Sequence, residues 1–297
     1  MSNGELLPGA PNMCGRLRRC LVIPPEAVGW GPGAPWRELG YFHPPAPEAA
    51  SREHRALSTL LEEAGVELVG PSAATPPAGV TPDAVYCHDA SLAAPGGVVL
   101  MSMGKPARSP EPAWHGELYR SLGIPVRGAV RPPALAEGGD LVWLDERTLL
   151  AGEGYRTNAA GIVALGELLG PGVEVIPAPL PHGDGPDACL HLMSLISVLD
   201  RRTIVADPRF LAVATVALLV DRGFTLIPIV EEERKTMAAN VLSLGDRRLI
   251  ALAENPRTNE RLRRAGFDVR AFHGGEICHN GSGGPTCLTR PLVRDVA

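Results

Sequence analysis

The chain has 297 residues, of which 45% are hydrophobic, enough to bury the core of one large or two ordinary domains. Its net charge of -5 and pI near 5.9 give no electrostatic footprint for nucleic acid, so no nucleic-acid partner is expected. The N-terminal sequence MSNGELLPGAPNMCGRLRR lacks the apolar region of a signal peptide, and no stretch approaches the ~20 apolar residues of a membrane span. We therefore expect a cytoplasmic protein with no membrane partner.

The first ~45 residues are rich in proline and glycine and are predicted to be irregular after one short strand at Cys20 to Ile23, forming either a mobile lid or packed coil. A helix is predicted from Glu48 to Ala64, with Ala56, Leu57, Leu60 and Leu61 at helical spacing. Further helices are predicted near Glu111 to Leu122, Asn158 to Leu169, Pro208 to Asp221 and Pro256 to Ala265. Thr157 is the predicted N-cap of the third helix.

Five times a helix-like stretch reaches a glycine and continues as a short strand. The glycines are Gly65, Gly123, Gly170, Gly223 and Gly266, spaced 58, 47, 53 and 43 residues apart. Glycine at a helix C-cap can take the positive φ that ends the helix. Between the glycines lie paired strand-like runs with charged turns, clearest in DLVWLDERTLLAG, LISVLDRRTIVAD and NVLSLGDRRLIAL. The pattern predicts a repeated hairpin, helix and strand in one domain covering residues 1–297.

A polar or reactive residue stands at the start of each predicted hairpin. These residues are Asp89, Glu137, His191, Asn240 and Cys287, spaced 48, 54, 49 and 47 residues apart. If the five units surround a pseudo-five-fold axis, equivalent positions converge on one point, and an acid, a second acid, an imidazole, an amide and a thiol share one cavity.

These residues make a coherent nucleophilic site. The Cys287 thiolate is a strong nucleophile near neutral pH, and His191 can pass a proton to a leaving amine and take one from water. Glu137 can orient the imidazole and favour its charged form. The glycines of GSGGPTC let the backbone approach a ligand closely beside the thiol.

Structural interpretations compete with the chemical ones. A cysteine before a strand is commonly a small buried hydrophobe, and we expect Cys87, Cys189 and Cys278 to be structural thiols, since the six cysteines contain no C-x-x-C pair. Asp140 and Asn240 are expected to bond turn amides. A metal could be held by Cys278, His279, His191 and Asp89, but no pair has ordinary ligand spacing, so we expect neither a metal nor a cofactor.

Seven segments, taken in order, resemble a known superfamily. The segments are PDAVYCHDASL, MGKPARSPEP, EGGDLVWLD, GYRTNAAG, CLHLMS, AANVLSL and GGPTCLTRPL, within residues 80–293. They resemble the guanidino-group-modifying superfamily, the penteins, and within it the dimethylarginine dimethylaminohydrolase and arginine deiminase relatives. The resemblance implies a five-bladed α/β propeller with the active site in its central channel.

The resemblance also implies roles for residues that match the motifs. It implies that Cys287 attacks the guanidinium carbon, that His191 is the general acid and base, and that Glu137 lies beside the guanidinium. It implies that Asp89 holds the guanidinium nitrogens and that Arg156 and Arg108 bind substrate, Arg156 through a carboxylate. It thus implies a small guanidino substrate, arginine or an N-methylated arginine, hydrolysed to citrulline through a covalent S-alkylthiouronium intermediate.

The chain departs from the motifs in informative places. Asp89, in CHDAS, stands where relatives that release ornithine resemble T-A-N-A-G, so we expect hydrolysis to stop at the ureido product. Met193 stands where arginine deiminases have aspartate, so it cannot supply a second carboxylate to the guanidinium. Two alternatives stay open, an amidinotransferase that uses an amine acceptor and a catalytically silent guanidino-binding protein. A homo-oligomer also remains open.

Overall fold

The computed structural model describes residues 12–71, 76–186, 188 and 190–297, so the prediction for Cys189 lies outside the described residues. The strands are β1 (Leu17–Leu21), β2 (Glu67–Val69), β3 (Ser91–Ala94), β4 (Gly97–Leu100), β5 (Val126–Ala129), β6 (Leu141–Asp145), β7 (Thr148–Glu153), β8 (Glu174–Pro179), β9 (Ile196–Asp200), β10 (Thr203–Ala206), β11 (Thr225–Pro228), β12 (Leu242–Gly245), β13 (Arg248–Leu252), β14 (Asp268–Phe272) and β15 (Arg290–Arg294). The α-helices are α1 (Pro47–Glu63), α2 (Glu111–Ser121), α3 (Ala159–Leu169), α4 (Val213–Asp221) and α5 (Pro256–Arg264).

The strands form five three-stranded sheets, each built to the same plan. In four of them an antiparallel hairpin is followed by a helix and by a third strand that pairs in parallel with the second; their orders are β3-β4-β5, β6-β7-β8, β9-β10-β11 and β12-β13-β14. The fifth sheet, β15-β1-β2, repeats this plan with β15 antiparallel to β1 and β1 parallel to β2. The predicted repeating unit and the predicted five-bladed α/β propeller class are confirmed.

Successive sheets meet through their first strands. Strand β15 contacts β3, β6 contacts β9, and β12 contacts both β9 and β1. A bridge between Ser102 and Ala136 joins the β3-β4-β5 sheet to the β6-β7-β8 sheet. The residues of β12 and β15 are buried throughout, including the polar side chains of Ser243, Arg290 and Arg294. The starts of these first strands are therefore held close to one another, and the residues before them meet.

All five predicted cap glycines have positive φ. The angles are 81° at Gly65, 69° at Gly123, 83° at Gly170, 83° at Gly223 and 87° at Gly266. A side chain at these positions would be strained, so glycine is the residue that lets each helix end and the chain turn into the outer strand.

Three local predictions differ from the structure. The first strand occupies Leu17–Leu21 rather than Cys20 to Ile23. The helix predicted from Pro208 is interrupted, because a 3₁₀ turn at Pro208–Phe210 is followed by extended backbone before α4 begins at Val213. The N-cap of α3 is Asn158, whose side chain accepts the N–H of Gly161 at 2.8 Å, rather than Thr157.

The proline-rich segment before α1 is packed coil in this structure. The side chains of Trp30, Leu39 and Tyr41 are buried in the core beneath the β15-β1-β2 sheet and its neighbours. Trp30 Nε1 donates to Glu276 Oε1 at 3.2 Å, and the backbone near residue 43 exchanges hydrogen bonds with the side chain of Asn280. These contacts anchor the segment to the loop that precedes Cys287; its role as a lid stays a prediction.

The five described cysteines form no disulfide, which matches the prediction that they are thiols. Cys87 and Cys278 are fully buried among apolar side chains, which matches their predicted structural role. Within the described ranges, no helix combines the length and the apolar character needed to cross a membrane.

A buried histidine on α2 predicts how stability depends on pH. Burial lowers the pKa of His115 from 6.5 to about 3, because its ring packs between Trp114 and Tyr119 and cannot be charged without losing solvation. The unfolded chain takes up this proton below pH 6.5 while the folded chain does not, so stability falls as the pH drops from 6.5 towards 3. At about 1.4 kcal/mol per pKa unit, the loss between pH 6.5 and 4.5 is on the order of 2 kcal/mol.

We expect His115→Phe to make this acid limb shallower, since phenylalanine takes up no proton; burial also lowers the pKa of His54 and of His88, so part of the limb remains. The measurement is urea unfolding of both proteins at several values between pH 7.5 and 4.5. His273→Gln, at an exposed position, is the matched control and should leave the slope unchanged. An identical slope in His115→Phe and in the parent protein would contradict the assignment.

Candidate active site

One pocket brings together residues from the starts of different sheets. Asp89, His191, Asn240 and Cys287 line a cavity of about 530 Å³, including its mouth, and Glu137 lies fully buried in contact with its His191 wall. Arg108 and Arg156 line the same cavity. All six residues that the sequence predicted for catalysis or substrate binding are thus at or next to one pocket, although they span some 200 positions.

The imidazole of His191 lies between the two carboxylates. His191 Nε2 is 2.8 Å from Glu137 Oε2, and His191 Nδ1 is 3.7 Å from Asp89 Oδ1. The histidine begins a 3₁₀ turn at Leu192–Ser194, and its backbone N–H is bonded by the Ser194 hydroxyl at 3.3 Å. The His191 side chain also accepts the backbone N–H of Ser194, so the ring is oriented by its own turn as well as by Glu137.

Both carboxylates are held ionised despite complete burial. Burial alone would raise the pKa of Asp89, but His191 and the Arg108 guanidinium outweigh it and hold the pKa well below the usual range. Burial likewise opposes ionisation of Glu137, yet the hydrogen bond and charge of His191 and the charge of Arg156 lower its pKa. The site thus holds two ionised carboxylates, Asp89 paired with Arg108 and Glu137 paired with Arg156.

Arg108 is embedded among acidic and carbonyl oxygens. Its Nη1 lies 2.5 Å from Asp89 Oδ2, and its Nε and Nη2 form a bidentate pair with Glu111, each at 2.8 Å. Nη2 also donates to the carbonyl of Tyr86 at 2.9 Å. Burial raises the pKa of Glu111 to about 7 against the lowering effect of Arg108. In this structure Arg108 holds Asp89 in place, and its predicted contact with substrate stays a prediction.

Arg156 and two backbone amides hold Glu137. Arg156 Nη1 is 3.0 Å from Glu137 Oε2, and Glu137 Oε1 accepts the N–H groups of Gly104 and Lys105 at 2.8 and 3.0 Å. The hydroxyl of Thr157 accepts the N–H of Glu137 itself at 3.1 Å. The threonine that was predicted as a helix cap therefore positions the acid.

The glycines of the EGGD turn allow the three charged groups to approach. A Cβ on Gly139 would collide with the ring of His191 and lie 2.8 Å from Asp89 Oδ1, whereas the Gly139 N–H donates to that oxygen at 2.9 Å. Asp140 accepts the N–H of Leu192 at 3.0 Å, so its predicted role as a turn-bonding residue is confirmed.

Comparison with known proteins identifies the family to which this arrangement belongs. The sequence model of the family described as Arginine deiminase matches residues 80–225 and 215–294. An uncharacterized protein of Aeropyrum pernix is 30% identical over 254 residues, covering 82% of this chain and 84% of the relative. The chain belongs to the arginine deiminase family. Members of this family are hydrolases that act on C–N bonds of amidines.

Two dimethylarginine dimethylaminohydrolases, which are members of the pentein superfamily, are also similar to this chain. The N(G),N(G)-dimethylarginine dimethylaminohydrolase of Streptomyces coelicolor is 30% identical over 214 residues, which cover 72% of this chain and 76% of that enzyme. A cysteine-to-serine mutant of the Pseudomonas aeruginosa dimethylarginine dimethylaminohydrolase, complexed with citrulline, superposes with a TM-score of 0.73 at 22% identity, covering 93% of this chain and 99% of that one. At this identity the superposition supports the fold alone.

Asn240 has a second contact that the sequence did not predict. Its Oδ1 accepts the N–H of Thr286 at 2.9 Å, as expected for a structural amide, but its Nδ2 lies 3.2 Å from Cys287 Sγ. An N–H pointed at sulfur stabilises the thiolate form. The sequence did contain a signal for this contact, because Asn240 and Cys287 occupy equivalent positions in their repeats. We had expected Asn240 to be structural and so did not assign it to the site.

We expect Asn240→Ala to slow alkylation of Cys287 by iodoacetamide about tenfold at neutral pH, since a hydrogen bond to a charged group contributes about 1.5–3 kcal/mol and about 1.4 kcal/mol is a factor of ten. Mass spectrometry of the alkylated peptide gives the rate. Asn158→Ala removes another amide with a purely structural bond, the α3 cap, and serves as the control. Equal slowing in both variants would mean that Asn240 acts only by general destabilisation.

Asp89, Glu137 and His191 also satisfy the spacing of a metal site. Their ligand atoms lie within 4.8 Å of one another, so three donors are available. Asp89 and Glu137, however, are already paired with Arg108 and Arg156, whose positive charges oppose a divalent cation. Cys278 and His279, which the sequence offered as further ligands, are not members of this group. The expectation of a metal-free site stays a prediction.

The pocket wall has further residues, of which only the glycines of GSGGPTC were singled out from the sequence. These further residues are Asp83, Tyr86, Lys105, Ser194, Met237, Gly281, Ser282 and Gly283. Gly283 lies so close to the Tyr86 ring that a Cβ would collide with it, so a glycine here allows the loop to pack closely against protein. Gly281 and Gly283 also line the pocket, and their predicted close approach to a ligand stays a prediction.

Proposed function

We propose that this chain is a cysteine-dependent hydrolase of a small cationic guanidino compound. The observation that carries the proposal is the convergence of Cys287, His191, Asp89 and Glu137 on one pocket, with both carboxylates ionised. A guanidinium is a planar cation with hydrogen-bond donors on every edge, and carboxylates are its natural partners. Cys287 supplies a nucleophile that can reach the carbon of a group held in this way.

In the first step of the proposed mechanism, the Cys287 thiolate adds to the guanidinium carbon and forms a C–S bond. The tetrahedral adduct then collapses as the C–N bond to the departing nitrogen breaks, and His191 gives that nitrogen the proton it needs to leave as an amine or ammonia. The product is a covalent S-alkylthiouronium. Asp89 and Glu137 stabilise its positive charge, and Asn240 stabilises the thiolate before attack.

In the second step, the now neutral His191 takes a proton from water, which adds to the same carbon. The C–S bond breaks as the hydroxyl group of the adduct gives its proton to solvent, the Cys287 thiolate returns and a ureido product leaves. The proton given to the departing nitrogen and the proton taken from the attacking water both pass through the His191 imidazole. No metal or organic cofactor takes part in this scheme.

Arginine and N-methylated arginine, both giving citrulline, are the substrates that the sequence favours. Arg156 lines the pocket and can meet a substrate carboxylate through its planar guanidinium. Met193 is buried in the core and adds no carboxylate to the pocket, so Asp89 and Glu137 are the acids proposed to hold the guanidinium. The cytoplasmic location also remains part of the proposal.

The decisive experiment is a panel of guanidines incubated with the purified protein and analysed for ureido product, with rapid-quench mass spectrometry of Cys287. We expect a ureido product and a transient adduct on that cysteine. Addition of amines tests for an amidinotransferase, which would form a new guanidino compound instead. Binding of guanidines without any product or adduct would overturn the hydrolase proposal in favour of a silent binding protein.

A further inference from the structure

A lysine stands at the mouth of the catalytic pocket. Lys105 lines both this pocket and a neighbouring surface groove formed with Leu39, Tyr155 and Arg156 among others. Its backbone N–H donates to Glu137 Oε1 at 3.0 Å, so the residue is tied at its base to the catalytic acid. Lys105 is therefore placed where the end of a substrate remote from the guanidinium would lie.

The Lys105 ammonium occupies the acceptors that could otherwise bind a substrate ammonium. Lys105 Nζ lies 2.6 Å from Asp83 Oδ2 and 2.7 Å from the carbonyl oxygen of Leu39. The Asp83 side chain is only 4% exposed, so its charge is neutralised inside the wall rather than by solvent. A buried carboxylate next to a backbone carbonyl is a good ammonium site, and here a residue of the chain itself fills it.

The charge that remains at the mouth is positive. An ammonium has three N–H donors, and in the described part of the chain two of those on Lys105 are used. The third is available to an acceptor in the cavity, beside Arg156 on the same wall. A carboxylate placed here gains a charge-assisted hydrogen bond, whereas an ammonium meets like charge and finds Asp83 already occupied.

We propose that Lys105 selects the substrate class: guanidino acids that end in a carboxylate and carry no ammonium group. This inference rests on the proposed function and narrows it. It ranks 5-guanidinopentanoate, which is arginine without its α-ammonium, above arginine, and ranks agmatine, which has an ammonium and no carboxylate, last. All three compounds have the same guanidinium end, so differences in their kcat/KM values come from contacts at the mouth of the pocket.

The test is kcat/KM for ureido formation from these three compounds by the parent protein and by Lys105→Met. We expect the parent protein to prefer 5-guanidinopentanoate to arginine by about tenfold or more, because like charges placed together are strongly disfavoured. In Lys105→Met, Asp83 becomes available to the substrate ammonium, and the ratio should shift towards arginine and agmatine by about tenfold. Lys235→Met removes an exposed lysine outside the pocket wall and should leave the ratio unchanged.

Calorimetric binding of the same three ligands to Cys287→Ala separates this inference from the hydrolase proposal. Absence of ureido product with every guanidine would overturn the hydrolase, while the order of the three binding constants still tests Lys105. A parent protein that prefers arginine, or a Lys105→Met variant that weakens all three ligands by the same factor, would overturn the selection by Lys105.

Discussion

Replacing Cys287 by alanine should lower the rate of ureido formation by about 10⁴-fold or more, because the proposed reaction has no other nucleophile to form the covalent intermediate. The measurement is kcat with the best guanidine of the panel, together with mass spectrometry of quenched samples for an adduct. The variant should still bind substrate, since Asp89 and Glu137, which we propose to hold the guanidinium, are unchanged. Loss of turnover with retained binding would show that Cys287 is needed for the reaction and not for binding the substrate.

The matched control for this variant is Cys14→Ala. Cys14 is also a half-buried thiol, but it lines a different cavity, with Arg16 and Asp200. We expect the activity of Cys14→Ala to equal that of the parent protein. Turnover undiminished in Cys287→Ala, or an adduct found on Cys14, would refute the assignment of the nucleophile.

Glu137→Gln should lower kcat/KM by about 10²-fold to 10³-fold. The change keeps the size of the side chain but removes the negative charge beside His191 and Arg156, so the imidazole loses its orienting partner and the guanidinium loses one of two proposed carboxylates. The pH profile should change as well. With the charge gone, the proton on His191 is held less tightly, and the pH limb that reports the acid should move to lower pH.

Glu233→Gln is the matched control for this change. Glu233 is also a buried glutamate that accepts backbone N–H groups, those of Arg257 and Thr258 at 2.8 and 2.7 Å, but it is not part of the pocket wall. The Glu233→Gln variant should be less stable than the parent protein and should keep the same pH profile of activity. An unchanged profile in Glu137→Gln, with a loss of activity matched by Glu233→Gln, would mean that Glu137 is only structural.

The sequence predicted the architecture because the architecture repeats. Each unit needs one glycine with positive φ to end its helix, and this requirement is local, so Gly65 and its four counterparts could be recognised without any contact being known. The convergence of Asp89, Glu137, His191 and Cys287 followed from the same repeat, since equivalent positions in a ring meet. Reactive residues at equivalent positions of a repeat can therefore be predicted from their spacing in the sequence.

The features that the sequence missed depend on contacts between positions that are not equivalent. Lys105 meets Asp83 and the Leu39 carbonyl across three different segments, and nothing in their spacing relates them. Thr157 and Asn158 are both good helix caps, and what decides between them is that Thr157 is bonded to the backbone of Glu137. The apolar pattern near Pro208 runs on through the break before α4 and gives no sign of it, and the Arg234 guanidinium that covers the Phe210 ring there comes from a distant segment.

The pairing of β1 with β15 has a consequence for how activity arises during translation. Leu17 pairs with Arg294, so strand β1 cannot pair with β15 until a segment 277 residues further along the chain has been synthesised. Joining segments so distant in sequence carries a large loop-closure entropy and is expected to be a late, slow event in folding. Cys287 immediately precedes β15, so a partly synthesised chain exposes no assembled thiol site, and reactivity towards guanidines should appear only as the ring closes.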